Sequence, residues 1–478
     1  MTQGKETQIK IMSIHPIQEL GDDFADAAEP ANFPLHMLRY RNVKAANSVD
    51  LPQLSESEWI KHFGKFHPLP QNLTTPLAIR YHGHQFRQYN PDIGDGRGFL
   101  FAQLRDKTGR LLDLGTKGSG QTPYSRSGDG RLTLKGGVRE VLATEMLEAS
   151  GVYTSKTFSL IETGEDLARS DEPSPARSSV LVRLSHSHIR FGAFQRLAYF
   201  NDVPNLEKLI RHVRTYYHDD IPDGDIGTMA PAILERITRE TARMVASWMA
   251  AGFVHGVMNT DNMNVTGETF DFGPYRFIPT SNPGFTAAYF DQQGLYAFGR
   301  QPEAALWNLK QLASSFTLVA GVEPLTNALM AYEPAYQEAL RDACFFQLGL
   351  QPGALDADLD MLQSMFSWMT DTQIPWAQFF FDWFCGAESR ARAASSPVSD
   401  HYQRDDFQTL SEALQARTPA APHRLTHEYF QRSQPETLLI DEIEALWADI
   451  AEKDDWTAFE DKIAGIRQKK SALLDEQG

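Results

Sequence analysis

The chain has 478 residues, 42% of them hydrophobic and 22% charged, which is enough for a packed core and excludes global disorder. Lys and Arg number 45 against 62 Asp and Glu, a net charge of −17 at pH 7. Nucleic-acid backbones need clustered positive charge, so no nucleic-acid partner is expected and any anionic ligand must sit in a local basic pocket. Cys344 and Cys385 build no disulfide framework and are too far apart in sequence for a CxxC motif.

The first residues, MTQGKETQIKIM, lack the apolar core of a signal peptide. No stretch reaches the length needed to span a bilayer. A cytoplasmic monomer without a membrane partner is expected. Residues 1–75 are proline-punctuated and without sustained period, and read as an arm wrapping a core. Strand signals cluster between 90 and 117. Gly98 to Leu104 is apolar, a polar turn follows at 106–109, and the chain returns through Leu111 to Lys117. Alternation places Leu112, Leu114 and Thr116 on one face and Asp113, Gly115 and Lys117 on the other. Lys117 beside a position without a side chain leaves room for a ligand, although a solvated lysine on an edge strand fits the same pattern.

Residues 137–150 carry an apolar helical stripe (Val138, Val141, Leu142, Met146) and stop at Gly151. Polar loops are predicted at 166–178 and 218–230. A long helix follows over 231–251, with Pro231 in its first turn and Gly252 past its end. From about 300 the chain reads as mainly helical, with the aromatic run 375–385 as a buried helix.

Four features carry candidate chemistry. Gly94-Asp95-Gly96-Arg97-Gly98 is a glycine-rich turn whose N–H groups can approach phosphate, with Arg97 as a forked donor; a plain hairpin turn is the alternative. Lys117 precedes the helix bearing Glu140, and strand, glycine turn, strand, lysine strand and glutamate helix is the order of a protein-kinase small lobe. Between them lies a polar insertion with Arg126, Asp129, Gly130 and Arg131. Arg183, inside the branched run Val180–Leu184, must meet a carboxylate or a ligand phosphate, and Arg190 follows it. The intervening Ser185-His186-Ser187-His188 also admits a metal-site reading. Finally, Asn262 and Asp271, joined by what reads as a short hairpin, can converge on one Mg²⁺. That is the kinase pairing of catalytic-loop Asn with the DFG aspartate. Kinases place a catalytic aspartate five residues before the Asn. Here that residue is Val257, and the nearest acid is Asp261.

The strings GHQF (83–86), GDGR (94–97 and 128–131), TPYSR (122–126), SHIR (187–190) and HGVMNTDNM (255–263) followed by DFGP (271–274) resemble, in order, the selenoprotein O family. The likeness is legible from about 80 to 280. It implies an α+β, protein-kinase-like two-lobed fold: an N-terminal extension (1–80), a small β-rich lobe (81–195), a large helical lobe with the metal site (196–340) and a helical C-terminal extension (341–478). It also implies transfer of AMP from ATP to Ser, Thr or Tyr hydroxyls of proteins, with the nucleotide inverted and pyrophosphate released. By motif match, Gly94, Gly96, Arg97, Lys117, Asp129, Gly130, Arg183, Arg190 and Asp271 would bind the nucleotide. Glu140 would orient Lys117, Asn262 and Asp271 would hold Mg²⁺ or Mn²⁺, and Asp261 would be the base. Three departures stand out, the first being that the lysine segment reads GTKGSGQTP (115–123) where the family typically has LKGAGPTP. Arg87 follows GHQF where the family commonly has Gly, and no redox Cys-x-x-Sec motif closes the chain. A kinase-like phosphotransferase and a nucleotide-binding pseudokinase scaffold are the competing readings.

Overall fold

The computed structural model describes residues 15–170 and 172–474; the N-terminal string MTQGKETQIKIM lies outside them. The fold is α+β. Strands β1 (Ala25–Ala27), β2 (Met37–Arg41), β3 (Leu77–Ile79), β6 (Leu100–Arg105), β7 (Leu111–Lys117), β8 (Leu132–Thr133), β9 (Lys156–Leu167) and β10 (Ala176–Ser185) form an eight-stranded sheet. Its order is β1-β3-β6-β7-β10-β9-β2, with β8 on β10, and every pairing is antiparallel. Two smaller ribbons stand apart, β4 (Gly83–Gln85) with β5 (Gln88–Asn90), and β11 (Phe253–Val254) with β12 (Arg276–Phe277).

The alternation predicted for β7 is present. Leu112 and Leu114 pack with Phe99, Phe101, Val180 and Val182 against Trp59 and Phe63 on one face. The N-terminal region is therefore more regular than an irregular arm. It supplies edge strands to the sheet, and its helix Glu56–Phe63, closed by a Ser55/Glu58 capping box, covers that face. Elements of three to eight residues carry too few repeats for a period to be visible in sequence.

The opposite face receives the helix Leu134–Ala149, whose N-cap is Thr133. Val138, Leu142 and Met146 are buried with Leu160 and Leu181 of the sheet, in the same apolar core as the long helix Ile226–Ala251. That helix begins five residues earlier than the sequence suggests, because the Asp225 side chain accepts the Thr228 N–H (3.0 Å) and closes the N-terminus. Pro231 therefore lies inside the helix rather than in its first turn. Its missing N–H removes the hydrogen bond that would otherwise reach the carbonyl of Gly227, four residues earlier. Gly252 ends the helix in the left-handed conformation, as predicted. The segment 263–270 is not a self-paired hairpin. Asn264 bridges to Arg190 and Thr269 to Thr154, while Asn264 Oδ1 accepts the N–H groups of Thr266 and Glu268 and shapes the turn from within.

Beyond residue 300 the chain is helical and builds a second apolar core, in which Trp376, Phe379 and Phe380 of the aromatic run pack on Trp368 and Met365. The last helix, Thr457–Leu473, returns to the Glu140 helix, where Arg467 pairs with Glu145 (3.0 Å) and Lys470 with Glu148 (2.6 Å). Among the described residues no helix is long and apolar enough to cross a membrane.

Gly137, one turn before Glu140, sets how closely this helix approaches the sheet. A Cβ there would lie 2.3 Å from Leu160 Cδ1 and 2.8 Å from Ser179 Oγ. Gly137→Val is expected to push the helix off β9 and β10 and to destabilise the protein by about 1–3 kcal/mol, read from urea denaturation. Unchanged stability would show that the helix tolerates a wider seat.

Candidate active site

The site is a buried cluster of charge under the end of β7. Lys117, the last residue of that strand, is ion-paired with Glu140 of the facing helix and lies 3.0 Å from Asp271. Arg183 stands opposite Gly115 on β10, with Nη1 3.9 Å from the same carboxylate. Arg190, at the start of the helix Phe191–Tyr199, reaches Asp271 at 3.1 Å and donates to the Asp261 backbone carbonyl at 2.7 Å. Its guanidinium is sandwiched by the rings of Tyr81 and Phe270, at 4.8 and 4.9 Å. One carboxylate thus ties together three cations from three elements. Asp271 has a left-handed backbone (φ 62°), a conformation held only where surrounding contacts over-determine it.

Electrostatics follow from burial and these contacts. Burial opposes ionisation of Asp271, yet the summed field of Lys117, Arg183, Arg190 and Arg97 outweighs it and holds the carboxyl well below the ordinary range. Burial draws the Lys117 ammonium down to about 7, with Asp271 pulling the other way. Burial raises Asp261 to about 6 against the opposing charge of Arg190. Three polar atoms of the cluster are buried without a hydrogen-bond partner: Arg183 Nη1, Arg190 Nε and Asp261 Oδ1. Two unsatisfied donors and one unsatisfied acceptor in one place are costly unless a ligand or ordered water completes them.

Asn262 Nδ2 donates to the Val257 carbonyl (2.9 Å), which commits the nitrogen and leaves the amide oxygen available. With the ionised Asp271 it offers two hard oxygen donors of the kind Mg²⁺ or Mn²⁺ takes. The cations already around Asp271 disfavour a bare dication there, so the donor set fits a metal that arrives with phosphate oxygens of its own.

The remaining predicted residues are placed differently. Arg97 is exposed beside the cluster, and its carbonyl accepts the Gly118 N–H (2.7 Å). Gly94 and Gly96 lie under the insertion: a Cβ on Gly94 would lie 2.5 Å from the Tyr124 ring, and one on Gly96 2.9 Å from the Tyr124 carbonyl. The Tyr124 segment therefore seats on this turn. Asp129 is not drawn into the cluster. It pairs with Arg169 (2.7 Å), and the neighbouring Arg131 pairs with Glu165 (2.8 Å). The two histidines of the Ser-His-Ser-His run go to separate partners, His186 Nδ1 to the Tyr153 hydroxyl (2.7 Å) and His188 Nε2 to Asp95 (2.8 Å). Asp95 is the site residue that pattern reading missed. It sits inside the GDGR string, is buried, accepts the Ile79 N–H (3.1 Å) and faces Arg190 at 3.6 Å.

Behind the cluster, Glu268 accepts the His186 N–H (2.8 Å), and burial pushes its carboxyl from 4.5 up to about 7. The folded protein therefore binds this proton more tightly than the unfolded chain. Stability is greatest below the unfolded pKa, declines as pH rises through about 7, and is level above it. The full change is about 3 kcal/mol at roughly 1.4 kcal/mol per tenfold change in proton affinity. Glu268→Gln keeps the acceptor and removes the charge. Urea denaturation at pH 5 and pH 8 is expected to show a smaller loss of stability between the two in the variant than in the parent. Equal losses would place the raised affinity elsewhere.

Comparison with known proteins matches the sequence over nearly its whole length. The family model described as "Protein adenylyltransferase SelO" matches residues 8–467, well beyond the strings legible between 80 and 280. The chain is 42% identical over 464 residues to the protein nucleotidyltransferase YdiU of Trichodesmium erythraeum, covering 94% of this chain and 97% of that one. It is 40% identical over 465 residues to the YdiU of Synechocystis sp., with the same coverage. Against the YdiU of Aliivibrio fischeri it is 37% identical over 341 residues, 71% of this chain and 68% of that one. With the buried Lys–Glu–Asp and arginine cluster as its structural centre, the chain belongs to the SelO family of protein adenylyltransferases.

Proposed function

We propose that the chain transfers AMP from ATP to Ser, Thr or Tyr hydroxyls of proteins, on a protein-kinase-like two-lobed scaffold. In this reading 81–195 form the small lobe and 196–340 the large lobe, with 1–80 and 341–478 as extensions. One observation carries it. Lys117, Arg183 and Arg190 converge with two donor atoms unsatisfied, while the carboxylate with a free oxygen is Asp261 and the kinase base position is Val257.

The chemistry follows from charge. Lys117, Arg183 and Arg190, with exposed Arg97, bind the β- and γ-phosphates and hold them where negative charge builds up as the α–β anhydride breaks. The acceptor oxygen forms its bond to the α-phosphorus, its proton passes to Asp261, and pyrophosphate leaves still held by the cations. Asp261, with a carboxyl near 6, is mostly ionised at neutral pH and basic enough to take that proton. Glu140 and Asp271 keep Lys117 aimed, and Asp95 backs Arg190. Asn262 and Asp271 would hold the Mg²⁺ or Mn²⁺, whose role when bound is to neutralise phosphate charge.

ATP labelled at the α- or γ-phosphate separates the reactions. Label from the α position on a protein hydroxyl, with pyrophosphate release, is the expected result; γ-label transfer without pyrophosphate would make the chain a kinase. Asp261→Asn is expected to lower the transfer rate by about 100-fold or more while ATP binding, followed by calorimetry, stays within a few fold. In the parent, transfer is expected to fall as pH drops below about 6, where Asp261 protonates. A variant with parental rate and pH profile would remove Asp261 from the base role.

A further inference from the structure

The β4–β5 ribbon is the rim of the site on the Asp261 side. Its two-residue turn, Phe86-Arg87, has φ of 49° and 64°, the geometry of a tight hairpin turn that glycine adopts without strain. The Phe86 N–H donates to Asn259 Oδ1 (3.0 Å) and the His84 N–H to Thr260 Oγ1 (2.7 Å). The ribbon is thereby fixed to the segment that ends in Asp261. Arg87 is held at its strained position by Glu303 (3.0 Å) and by the Trp307 ring (5.4 Å).

Both flanks of this ribbon expose aromatic side chains. Tyr199 and Phe200, each 58% exposed, lie on one side, where Tyr199 stacks on Tyr89 and Phe200 meets His82. Tyr289 and Phe290, 82% and 47% exposed, lie on the other, where Phe290 meets Phe86. Among the described residues only nine large hydrophobic side chains are exposed, and four of them flank this one ribbon. Exposed aromatics gathered in one place mark a surface that a partner covers.

The side bearing Tyr199 opens into a cleft of about 480 Å³ lined by Tyr81, Ile93, Tyr124, Arg126 and Arg196, with Asp92 at its rim. Tyr81 is also the ring beneath Arg190, so the cleft and the phosphate cluster share a wall. Arg126 is exposed and has no ion pair among the described residues, and Arg196 lies over Phe200 at 5.3 Å. The lining carries two arginines against one aspartate, a local excess of positive charge in a chain of net charge −17.

We infer that this aromatic ribbon and its arginine-lined cleft are the docking surface for the acceptor polypeptide, received as an extended segment. An aromatic or aliphatic residue of the segment would lie beside the modified hydroxyl, against the ribbon's flanks. An acidic residue would lie further along, in the cleft, facing Arg126 and Arg196. The inference rests on the AMP-transfer reading, since it is that reading which brings a protein hydroxyl to Asp261. Continuity with Asp261 selects the acceptor segment over other partners, and the cleft's charge selects its acidic flank.

The test uses the full-length protein, α-labelled ATP and a peptide library with a central Ser, Thr or Tyr and randomised flanks. The parent is expected to favour an apolar neighbour and an Asp or Glu flank. Tyr199→Ser/Phe200→Ser and Tyr289→Ser/Phe290→Ser are expected to lower peptide labelling tenfold or more, while ATP affinity and pyrophosphate release without peptide stay unchanged. Arg126→Glu is expected to shift the flank preference towards Lys and Arg. Peptide labelling with no flank preference, equal in parent and variants, overturns the docking surface and leaves AMP transfer standing. Label found only on the enzyme, at a rate rising with the square of its concentration and lost in the aromatic variants, assigns the surface to a second copy of the chain and also overturns the inference. Absence of label on any hydroxyl, peptide or enzyme, removes the AMP-transfer reading and this surface with it.

Discussion

The carboxylate of Asp271 is the constraint around which the site is built. Lys117, Arg183 and Arg190 come from β7, from β10 and from the start of a helix, and they meet only because one buried anion lies between them. Like charges about 4 Å apart repel by roughly 4 kcal/mol at an effective dielectric near 20, so three buried cations need that anion in the absence of substrate. Glu140 neutralises Lys117 from the opposite side and Asp95 faces Arg190, giving each of these two cations a second partner. Arg183 has no second carboxylate within ion-pair reach among the described residues and stacks instead over Phe270 at 5.2 Å.

Holding that arrangement requires the sheet to present opposite chemistry on its two faces. The N-terminal elements cover the apolar face, so the other is free to carry Lys117, Gly115 and Asp113 towards the site. Gly115 is needed there because a Cβ would lie 2.8 Å from the His188 ring, the imidazole that contacts Asp95. The position of the Glu140 helix is fixed from further away. Arg467 and Lys470, more than three hundred residues later in sequence, pair with Glu145 and Glu148 on that helix. Arg39 and Arg177 bind Glu162 and reach Asp454 ahead of the last helix, joining the C-terminal region to the sheet edge. The C-terminal region therefore helps set the geometry of a cluster to which it contributes no residue.

What could be read from sequence was whatever depended on period or local spacing. The alternation of β7, the Lys117-to-Glu140 order and the apolar stripe of the long helix are local, and each is present in the structure. Readings that depended on distant partners went differently. Asp95 looks like one residue of a glycine turn until His188 and Arg190 fold onto it. Asp129, in a string that repeats GDGR, is held by Arg169 from a loop forty residues on. The 263–270 segment has the residues of a hairpin, but its edges bind Arg190 and Thr154. The excess of acid over base in the composition gave no sign that three buried cations gather at one carboxylate, because a count of charges says nothing of how they are grouped.

Under the proposed AMP transfer, the grouping also bears on which bond of ATP this site would be suited to break. In γ-phosphoryl transfer the group that departs with the acceptor is the one most tightly surrounded by cations, so the attraction that bound it must be given up when the product leaves. In α-transfer the cations keep the same phosphates from binding through bond cleavage. Their attraction grows as the leaving pyrophosphate acquires charge, and interactions that strengthen in the transition state are those that accelerate a reaction. A cluster of Lys117, Arg183 and Arg190 anchored by Asp271, Glu140 and Asp95 is rigid and over-determined. Such a cluster is better matched to retaining a leaving group than to passing its ligand on. Asp261, the proton acceptor of the proposed AMP transfer, adjoins the arginine end of this cluster through the Arg190 hydrogen bond to its carbonyl, so in that reading acceptor and phosphate-binding charges are held together.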